Sequence, residues 1–392
     1  MKKNILIVAR KMDMGGVEVS LLGFLKNIDY LRYRVTLLLE KREGALVEEI
    51  PENVRIITPV FRSNVDFKCI ELSTKLNIWE EIQFKIVARK CKKDIESDNA
   101  FFSYVLNHVT LEDSIMEYDL AIDYHGYGHF LGVFMANKIK AKKYIMFIHD
   151  ERLNWLKNVR SVLPKYAGFF CVSKRSKNRI EELYPDAKRK TFLFYNIVDK
   201  DKIFNKANEV QSEIPDGRNN VIVSVGRLEE EKGFDVAISA AEILNQNGVD
   251  FCWYIVGNGS KHLELQGMIN AKGIADKVFL LGEKKNPYPY IKRADIYVQP
   301  SRYEGYVLTV CEARILKKVI VASNLESIRE QVISGVNASL VEISPNEFSK
   351  EIERLLNSPE IRRQYVNELS LERIDYSEQM KLIDKMVGEL NE

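Results

Sequence analysis

Two glutamates stand eight positions apart in the segment "YEGYVLTVCEA", residues 303–313. Glu304 follows the apolar run "ADIYVQPS" and lies where a strand should give way to a helix. A carboxylate at that point can accept hydrogen bonds from sugar hydroxyls, or it can lie near positive charge that develops on a carbon atom. Glu312, about two helical turns later, can accept from the two neighbouring hydroxyls of a ribose. The pair therefore favours a ligand that is rich in hydroxyl groups.

Each glutamate also has a more ordinary explanation. Glu304 could be an acidic residue that caps the following helix. Glu312 could form a salt bridge with Arg314 or Lys317. The spacing alone leaves both explanations open.

The residues between the two glutamates predict the start of a helix. Gly305 permits a tight turn, and "VLTVCEARIL" (307–316) has the pattern of a helix. The first amides of such a helix and its positive dipole end favour a phosphate, and Thr309 could add a hydroxyl.

Two cations lie in a second loop, "GRLEEEKGFD" (226–235), directly after the apolar run "NVIVSV". Arg227 and Lys232 could stabilise the negative charge that develops on a diphosphate leaving group. The alternative is a surface loop whose cations balance three consecutive glutamates. By itself the loop does not decide between the two.

A glycine pair follows the first predicted strand, in "MDMGGVEVSLLGFL" (12–25). Gly15 and Gly16 would let backbone amides approach a ligand closely. The segment lacks the G-x-G-x-x-G spacing of a dinucleotide site, so NAD is disfavoured.

Short β-branched and aromatic runs alternate with amphipathic stretches, which is typical of parallel α/β domains. The predicted strands of the first half cover residues 4–9, 34–40, 54–58, 120–124, 143–149, 169–173 and 191–196. Those of the second half cover residues 220–226, 251–257, 277–282, 295–300, 318–323 and 338–343.

The best linker candidate is the polar stretch 199–219. We therefore predict an α/β fold of two Rossmann-like, doubly wound parallel-sheet domains that face each other across a cleft. The predicted domains are residues 1–198, which would bind an acceptor, and 199–376, which would bind a donor. A C-terminal helix at 377–392 could pack back on the first domain.

Composition limits the class of protein. The chain has 392 residues, 46% hydrophobic and 29% charged, as in soluble globular proteins, and no apolar run is long enough to span a membrane. Five scattered cysteines without a C-x-x-C pair argue for a reducing compartment and against a structural zinc site. We expect a cytoplasmic protein.

The charge is uneven, because residues 1–196 are net basic and the remainder is net acidic. Basic clusters lie at 88–93, 137–143 and 188–190. An anionic membrane surface or a phosphate-bearing substrate fits at least as well as nucleic acid, since no nucleic-acid-binding motif accompanies the charge. A solvated lysine-rich surface is the ordinary explanation for each cluster.

Several motifs in order resemble the retaining glycosyltransferases of family 4, which have the GT-B fold. They are "MGGVE", "YNIVDKDKIF", "VGRLEEEKGFD", "IVGNGS", "NPYPYIKRADIYVQPSRYEGYVLTVCEA" and "VASNLESIREQV". The match is strong over residues 220–345 and weaker over residues 1–200, and the segment 60–118 resembles nothing known.

The resemblance implies roles for individual residues. Glu304 would lie near the donor sugar, Glu312 would bind the ribose, and Arg227 and Lys232 would clamp the diphosphate. His149, in "MFIHDERL", resembles the active-site histidine of the family. The remaining donor-binding residues by this resemblance would be Gly15, Gly16, Gly226, Gly257, Gly305, Tyr306, Val307, Leu308 and Thr309.

Three features depart from the family pattern. Val307 replaces the second glycine of E-G-F-G-L, which could narrow the sugar pocket. Ile197 replaces glycine in N-G-(I/V)-D. The triplet "DKD" (199–201) spells a D-x-D metal signature, but it coincides with the segment between the domains, and we interpret it as a coincidence.

The predicted function is transfer of a hexose from a nucleotide diphosphate sugar, expected to be a UDP-sugar, to a hydroxyl of a glycan with retention of configuration. No metal or other cofactor is expected. The acceptor could be lipid-linked at the inner membrane face, and the stretch 77–93 could contact the membrane or could be an ordinary helix that packs its apolar side inward. Two alternatives are a sugar-nucleotide epimerase of the same fold and a non-catalytic subunit that binds glycan or a partner protein.

Overall fold

The structure is a computed structural model that describes residues 1–61, 109–111, 116–128, 130–209, 213–215 and 217–388. The chain divides into two compact units. The first unit comprises Met1–Val198 together with Asp375–Glu392, and the second comprises Asp199–Ile374.

Within the described part of the first unit, seven parallel strands form one sheet in the order β3-β2-β1-β6-β7-β8-β9. The strands of this unit are β1 Lys3–Ala9, β2 Tyr33–Leu39, β3 Arg55–Ile57, β4 Pro59–Phe61, β5 Val109–Leu111, β6 Tyr118–Asp123, β7 Ala141–Ile148, β8 Gly168–Cys171 and β9 Thr191–Leu193. Its helices are α1 Gly16–Asn27, α2 Phe130–Lys138, α3 Lys174–Leu183 and, at the end of the chain, α12 Ser377–Val387.

The second unit contains a sheet of six parallel strands, as far as its described residues show, in the order β12-β11-β10-β13-β14-β15. These strands are β10 Val221–Val225, β11 Cys252–Val256, β12 Val278–Leu280, β13 Ile296–Gln299, β14 Val319–Ser323 and β15 Ser339–Val341. The helices are α4 Lys200–Ala207, α5 Phe234–Gln246, α6 His262–Ala271, α7 Tyr288–Arg293, α8 Leu308–Ile315, α9 Glu326–Arg329, α10 Pro345–Leu356 and α11 Pro359–Leu371.

The central strands of the second sheet are buried on both faces. Every residue of β10 and of β11 is buried, as a parallel strand covered on both faces requires. Trp253 of β11 is fully buried, and its indole N–H donates to Ser224 Oγ at 3.0 Å. The core of each unit therefore lies between its sheet and the surrounding helices.

The predicted fold class is confirmed, because each strand expected from the sequence lies in one of the two parallel sheets. The antiparallel pair of β4 and β5 was not predicted. The stretch 77–93 and the basic cluster 88–93 lie outside the described residues. No helix in the described part of the chain is long and apolar enough to cross a membrane.

The last helix, α12, packs in the first unit. Asp384 accepts hydrogen bonds from Tyr33 Oη at 2.5 Å and from Arg32 Nη1 at 3.1 Å. The end of the described chain is thereby attached to the start of β2.

Candidate active site

Three loops of the second unit begin at the carboxyl ends of neighbouring strands. They follow β10, β11 and β13, and β10 pairs with each of the other two strands. In open parallel sheets this edge is where ligands bind. The loops that carry the predicted donor residues therefore meet at the expected place within this unit.

Lys232 and Glu304 form an ion pair across two of these loops. Lys232 Nζ lies 2.6 Å from Glu304 Oε1, and the two side chains are only 17% and 9% exposed. The same carboxylate oxygen accepts from Ser301 Oγ at 2.7 Å. The residue that caps α8 is Val307, so Glu304 precedes the cap and the explanation as a capping acid does not apply.

The loop after β10 is held against the loop after β13. Arg302 forms a bidentate ion pair with Asp235, with N–O distances of 2.7 and 2.6 Å, and its backbone N–H donates to the Glu231 carbonyl at 2.8 Å. Gly233 has a φ of +68°, and a Cβ there would lie 2.1 Å from the Pro300 carbonyl oxygen. This packing fixes the positions of the two residues of the ion pair.

Arg227 differs from Lys232 in its surroundings. Its side chain is 71% exposed and pairs at 3.0 Å with Glu231, four positions along the chain. The Arg227 guanidinium thus lies at the surface, whereas the Lys232 ammonium is already enclosed. The two predicted clamp residues are therefore not equivalent before a ligand binds.

Gly226 and Gly257 allow the loops after β10 and β11 to touch. Gly257 has a φ of +147°, and a Cβ on it would lie 1.8 Å from the Gly226 carbonyl oxygen. The Gly226 N–H in turn donates to the Val256 carbonyl at 3.0 Å. The close approach of the two loops therefore explains both glycines without any ligand.

We expect Gly257→Ala to lower the free energy of unfolding by about 3 kcal/mol, because the new methyl group must displace backbone and adopt an unfavourable φ. Gly267→Ala in α6 is the matched control, since its Cβ would meet no described atom within 4 Å. That substitution should stabilise the protein by up to about 1 kcal/mol. Urea denaturation measures both, and equal effects of the two substitutions would contradict the close approach at Gly257.

The start of α8 is hydrogen-bonded to Gln299 at the end of β13 and to Gln331, which follows α9. Thr309 Oγ1 donates to Gln299 Oε1 at 2.9 Å. The side-chain amide of Gln331, in the orientation that satisfies both of its ends, pairs with the N–H and the C=O of Val307 at 3.2 Å each. Val307 is buried, so its side chain packs inward while Gln331 occupies its amide. By helix geometry, the amides of Leu308 and Thr309 still have no partner within the helix.

Glu312 is buried in α8 and faces α7. Tyr288 Oη donates to its Oε1 at 3.3 Å. Burial raises the pKa of Glu312 to about 7, although the Tyr288 hydrogen bond and the positive charge of Lys202 act in the opposite direction. The salt-bridge explanation fails, because Arg314 pairs with Glu372 at 2.8 Å and Lys317 donates to the Leu369 carbonyl.

In the first unit, the predicted glycine pair lies at the start of α1. Gly15 caps the helix and Gly16 is its first residue. A Cβ on Gly15 would lie 2.2 Å from Oε2 of the buried Glu18, so a larger residue there would displace the Glu18 carboxylate. Burial also raises the pKa of Glu18, whose Oε1 lies 3.9 Å from His125 Nε2.

His149 follows β7 in the first unit and is buried. Its Nε2 lies 2.6 Å from the Tyr124 carbonyl oxygen, and its ring stacks on Tyr127 and Phe147 at centroid distances of 5.9 and 5.8 Å. Burial lowers the pKa of His149 to about 4. The imidazole is therefore neutral at pH 7, with its Nε2–H donated to Tyr124 and its Nδ1 available as an acceptor by tautomer.

The described residues contain no group of three or more His, Cys, Asp or Glu that could hold a metal ion. In the "DKD" triplet, Asp199 caps α4 by accepting from the Lys202 N–H at 2.9 Å. The triplet thus has a role in helix capping.

Sequence reasoning missed several residues that build the site. Ser301, Arg302 and Asp235 fix the ion pair, and Tyr288 contacts Glu312. Ser301 and Arg302 directly follow the predicted strand 295–300, and that position was a usable signal. Asp235 lies in the first turn of α5 and Tyr288 is the first residue of α7, and their partners Arg302 and Glu312 are far along the chain, so spacing could not reveal these contacts.

The known proteins that resemble this chain include several glycosyltransferases. Residues 205–369 match the family model "Glycosyl transferases group 1". An uncharacterized glycosyltransferase of Methanocaldococcus jannaschii is 26% identical over 279 residues, which cover 67% of this chain and 73% of that protein. A Campylobacter jejuni enzyme, N-acetylgalactosamine-N,N'-diacetylbacillosaminyl-diphospho-undecaprenol 4-alpha-N-acetylgalactosaminyltransferase, is 27% identical, and the alignment covers 57% of this chain and 60% of the enzyme.

Among solved structures, Anabaena HepE in complex with UDP and glucose superimposes with a TM-score of 0.71 at 17% identity. The superposition covers 98% of this chain and 99% of that one. At this identity the likeness shows the fold.

Proposed function

We propose that this chain, a glycosyltransferase of group 1, transfers a hexose from a UDP-sugar to a hydroxyl of a glycan acceptor with retention of configuration. The observation that carries the proposal is the enclosed Lys232–Glu304 pair beside the start of α8. It combines a cation, a carboxylate and a helix N-terminus, which suit a diphosphate, a sugar and the charge that develops between them. The UDP bound to HepE, a structure of the same fold, supports the choice of nucleotide.

In the proposed donor complex, the diphosphate lies between Lys232 and the first turn of α8. Arg227 turns from Glu231 to a phosphate oxygen. The Glu304 carboxylate lies beside the sugar, where it accepts from hydroxyls and faces the positive charge on the anomeric carbon. Glu312 takes the two ribose hydroxyls. Apart from Arg227, each role uses a side chain that the fold already encloses.

The transfer then takes place on one face of the sugar. The bond from the anomeric carbon to the leaving phosphate oxygen breaks as the bond to the acceptor oxygen forms, and the acceptor proton passes to the leaving phosphate. Lys232 stabilises the charge on the phosphate while this happens. The attacking and leaving oxygens share a face, so the configuration is retained.

Proton NMR of the product formed from an α-configured UDP-sugar tests this proposal. An α-linkage, with only partial loss of rate in His149→Ala, is the expected result. A β-linkage together with an inactive His149→Ala would make His149 a general base on the opposite face and the enzyme an inverting one.

The acceptor is proposed to be a lipid-linked glycan, because the Campylobacter jejuni relative is named for a diphospho-undecaprenol acceptor. Contact of the basic first unit with the cytoplasmic face of a membrane would suit such a substrate. Flotation of the protein with vesicles of anionic and of neutral lipid measures this contact, and equal binding to both would contradict a role for the basic residues.

Donor affinity should depend on pH through Glu312. The ribose hydroxyls donate to the ionised carboxylate, which is depleted below its pKa of about 7. Between pH 8 and pH 6 we expect the Kd for UDP to rise about tenfold, since the ionised fraction falls by that factor. Calorimetric titrations of wild type and Glu312→Gln check this, and an unchanged slope in the variant would assign the pH dependence to another group.

Transfer should not require a divalent metal, because Lys232 and Arg227 supply the positive charge at the diphosphate. We expect the rate to persist within about twofold in excess EDTA, and Asp199→Ala with Asp201→Ala to act on helix α4 stability. Loss of activity in EDTA and its recovery with manganese would overturn this assignment.

A further inference from the structure

Gln299 is the last residue of β13, and its buried side chain is at the centre of a hydrogen-bond network. Tyr297 Oη and Thr309 Oγ1 both donate to Gln299 Oε1, at 2.6 and 2.9 Å. Gln299 Nε2 donates to Ser301 Oγ at 2.8 Å. The residue is 1% exposed, on a strand whose neighbours are apolar runs.

Two branches of the network lead to the candidate active site. Through Ser301, the first branch reaches Glu304 Oε1 at 2.7 Å and from there Lys232 Nζ at 2.6 Å. The second branch reaches Thr309 in the first turn of α8. Gln299 thus connects the ion pair, through Ser301, with Thr309 at the start of the helix.

We propose that Gln299 is a positioning residue for sugar transfer, which fixes the Lys232–Glu304 pair relative to the first turn of α8 by acting through Ser301 and Thr309. The inference rests on the proposed function, since it names the residue that holds that same site in order. Gln299 itself touches neither reacting group in this arrangement. Its effect is on the geometry of the residues that do.

The chemistry of the amide explains why glutamine suits this position. Its oxygen accepts hydrogen bonds from the Tyr297 and Thr309 hydroxyls, and its nitrogen donates to the Ser301 oxygen, so one side chain satisfies all three groups. Leucine has a similar size but would leave the Tyr297 and Thr309 hydroxyls and Ser301 without this buried partner. The loop 300–307 would then lose the side-chain hydrogen bond that holds Ser301 to Gln299 at the end of β13.

The test uses Gln299→Leu, Ser301→Ala and the double variant in the full chain. Ser224→Ala is the matched control. Ser224 is a buried polar residue of β10 that bonds to Trp253 and Val298, so its loss weakens the same sheet without breaking the network.

We expect Gln299→Leu to lower kcat roughly 10- to 100-fold with the donor KM changed less than threefold, because small displacements of catalytic groups cost about that much. Ser301→Ala breaks only the branch to Glu304, so it should lower kcat by no more than Gln299→Leu does. The double variant should lose no more than Gln299→Leu alone, since both substitutions interrupt that same branch. Ser224→Ala should lower Tm but leave kcat within twofold. Equal loss of kcat in Ser224→Ala, or additive losses in the double variant, would overturn the proposal.

Hydrogen exchange without any ligand separates this inference from the proposed function. In Gln299→Leu the amides of residues 301–308 should exchange about tenfold faster than in wild type, and in Ser224→Ala they should not. Unchanged exchange in Gln299→Leu contradicts the positioning role whatever the enzyme does. A wild-type protein that turns over no nucleotide sugar contradicts the proposed function instead.

Discussion

Lys232→Met is expected to lower turnover of the nucleotide-sugar donor roughly 100- to 1,000-fold, which is the usual cost of losing one preorganised group that stabilises transition-state charge. Methionine preserves most of the length and volume of the side chain and removes its charge. The effect should be on kcat more than on KM, because Glu312 and the start of α8 still hold the nucleotide. Steady-state kinetics on the folded variant measures it.

The control for this substitution is Lys272→Met. Lys272 pairs with Glu242 between α6 and α5 of the same unit, at 2.5 Å and with comparable exposure. Both variants lose an ion pair, but only Lys232→Met loses one at the proposed diphosphate site. If the two variants kept similar, near-normal turnover, the diphosphate would have to bind elsewhere.

Glu304→Gln should lower kcat by a factor of about 1,000, because the carboxylate charge that faces the anomeric carbon is removed while the side chain keeps its shape. It should also destabilise the fold by about 2 to 4 kcal/mol, since the mostly enclosed Lys232 loses its partner. Circular dichroism during urea denaturation and kinetics at a temperature well below unfolding separate the two effects.

The double variant Glu304→Gln with Lys232→Met separates the loss of stability from the loss of activity. It no longer has an unpaired buried charge, so stability should recover while activity stays low. A different result would contradict this role. If kcat of Glu304→Gln fell only as far as its folded fraction, and the double variant recovered both kcat and the free energy of unfolding, Glu304 would be a structural ion-pair partner with no part in the chemistry.

The sequence was sufficient for the parallel sheets, because strands buried on both faces appear as continuous apolar runs. The same logic fails for β4 and β5, which have three residues each and pair in the antiparallel sense. This pairing joins Pro59 with Leu111, which is far along the chain, and no local pattern indicates it.

For the candidate site, the sequence predicted that Lys232 and Glu304 lie in loops after strands and Glu312 in the helix that follows, as the structure has them, but it did not predict their partners. The Lys232–Glu304 contact joins residues 72 positions apart. Its strength depends on Ser301 and on the Arg302–Asp235 pair, which are visible only once the loops meet. A distant partner also explains why Glu312 forms no salt bridge with Arg314. Arg314 pairs instead with Glu372, which is far along the chain.

The assignment of this site to sugar transfer predicts release of nucleoside diphosphate without any acceptor, which liquid chromatography measures on a panel of UDP-, GDP-, ADP- and dTDP-sugars. Wild type should release UDP slowly from at least one UDP-sugar, and both Lys232→Met and Glu304→Gln should abolish most of that release while still folding. Release of no nucleotide from any donor, or equal release by wild type and both variants, would contradict the assignment of this site to sugar transfer.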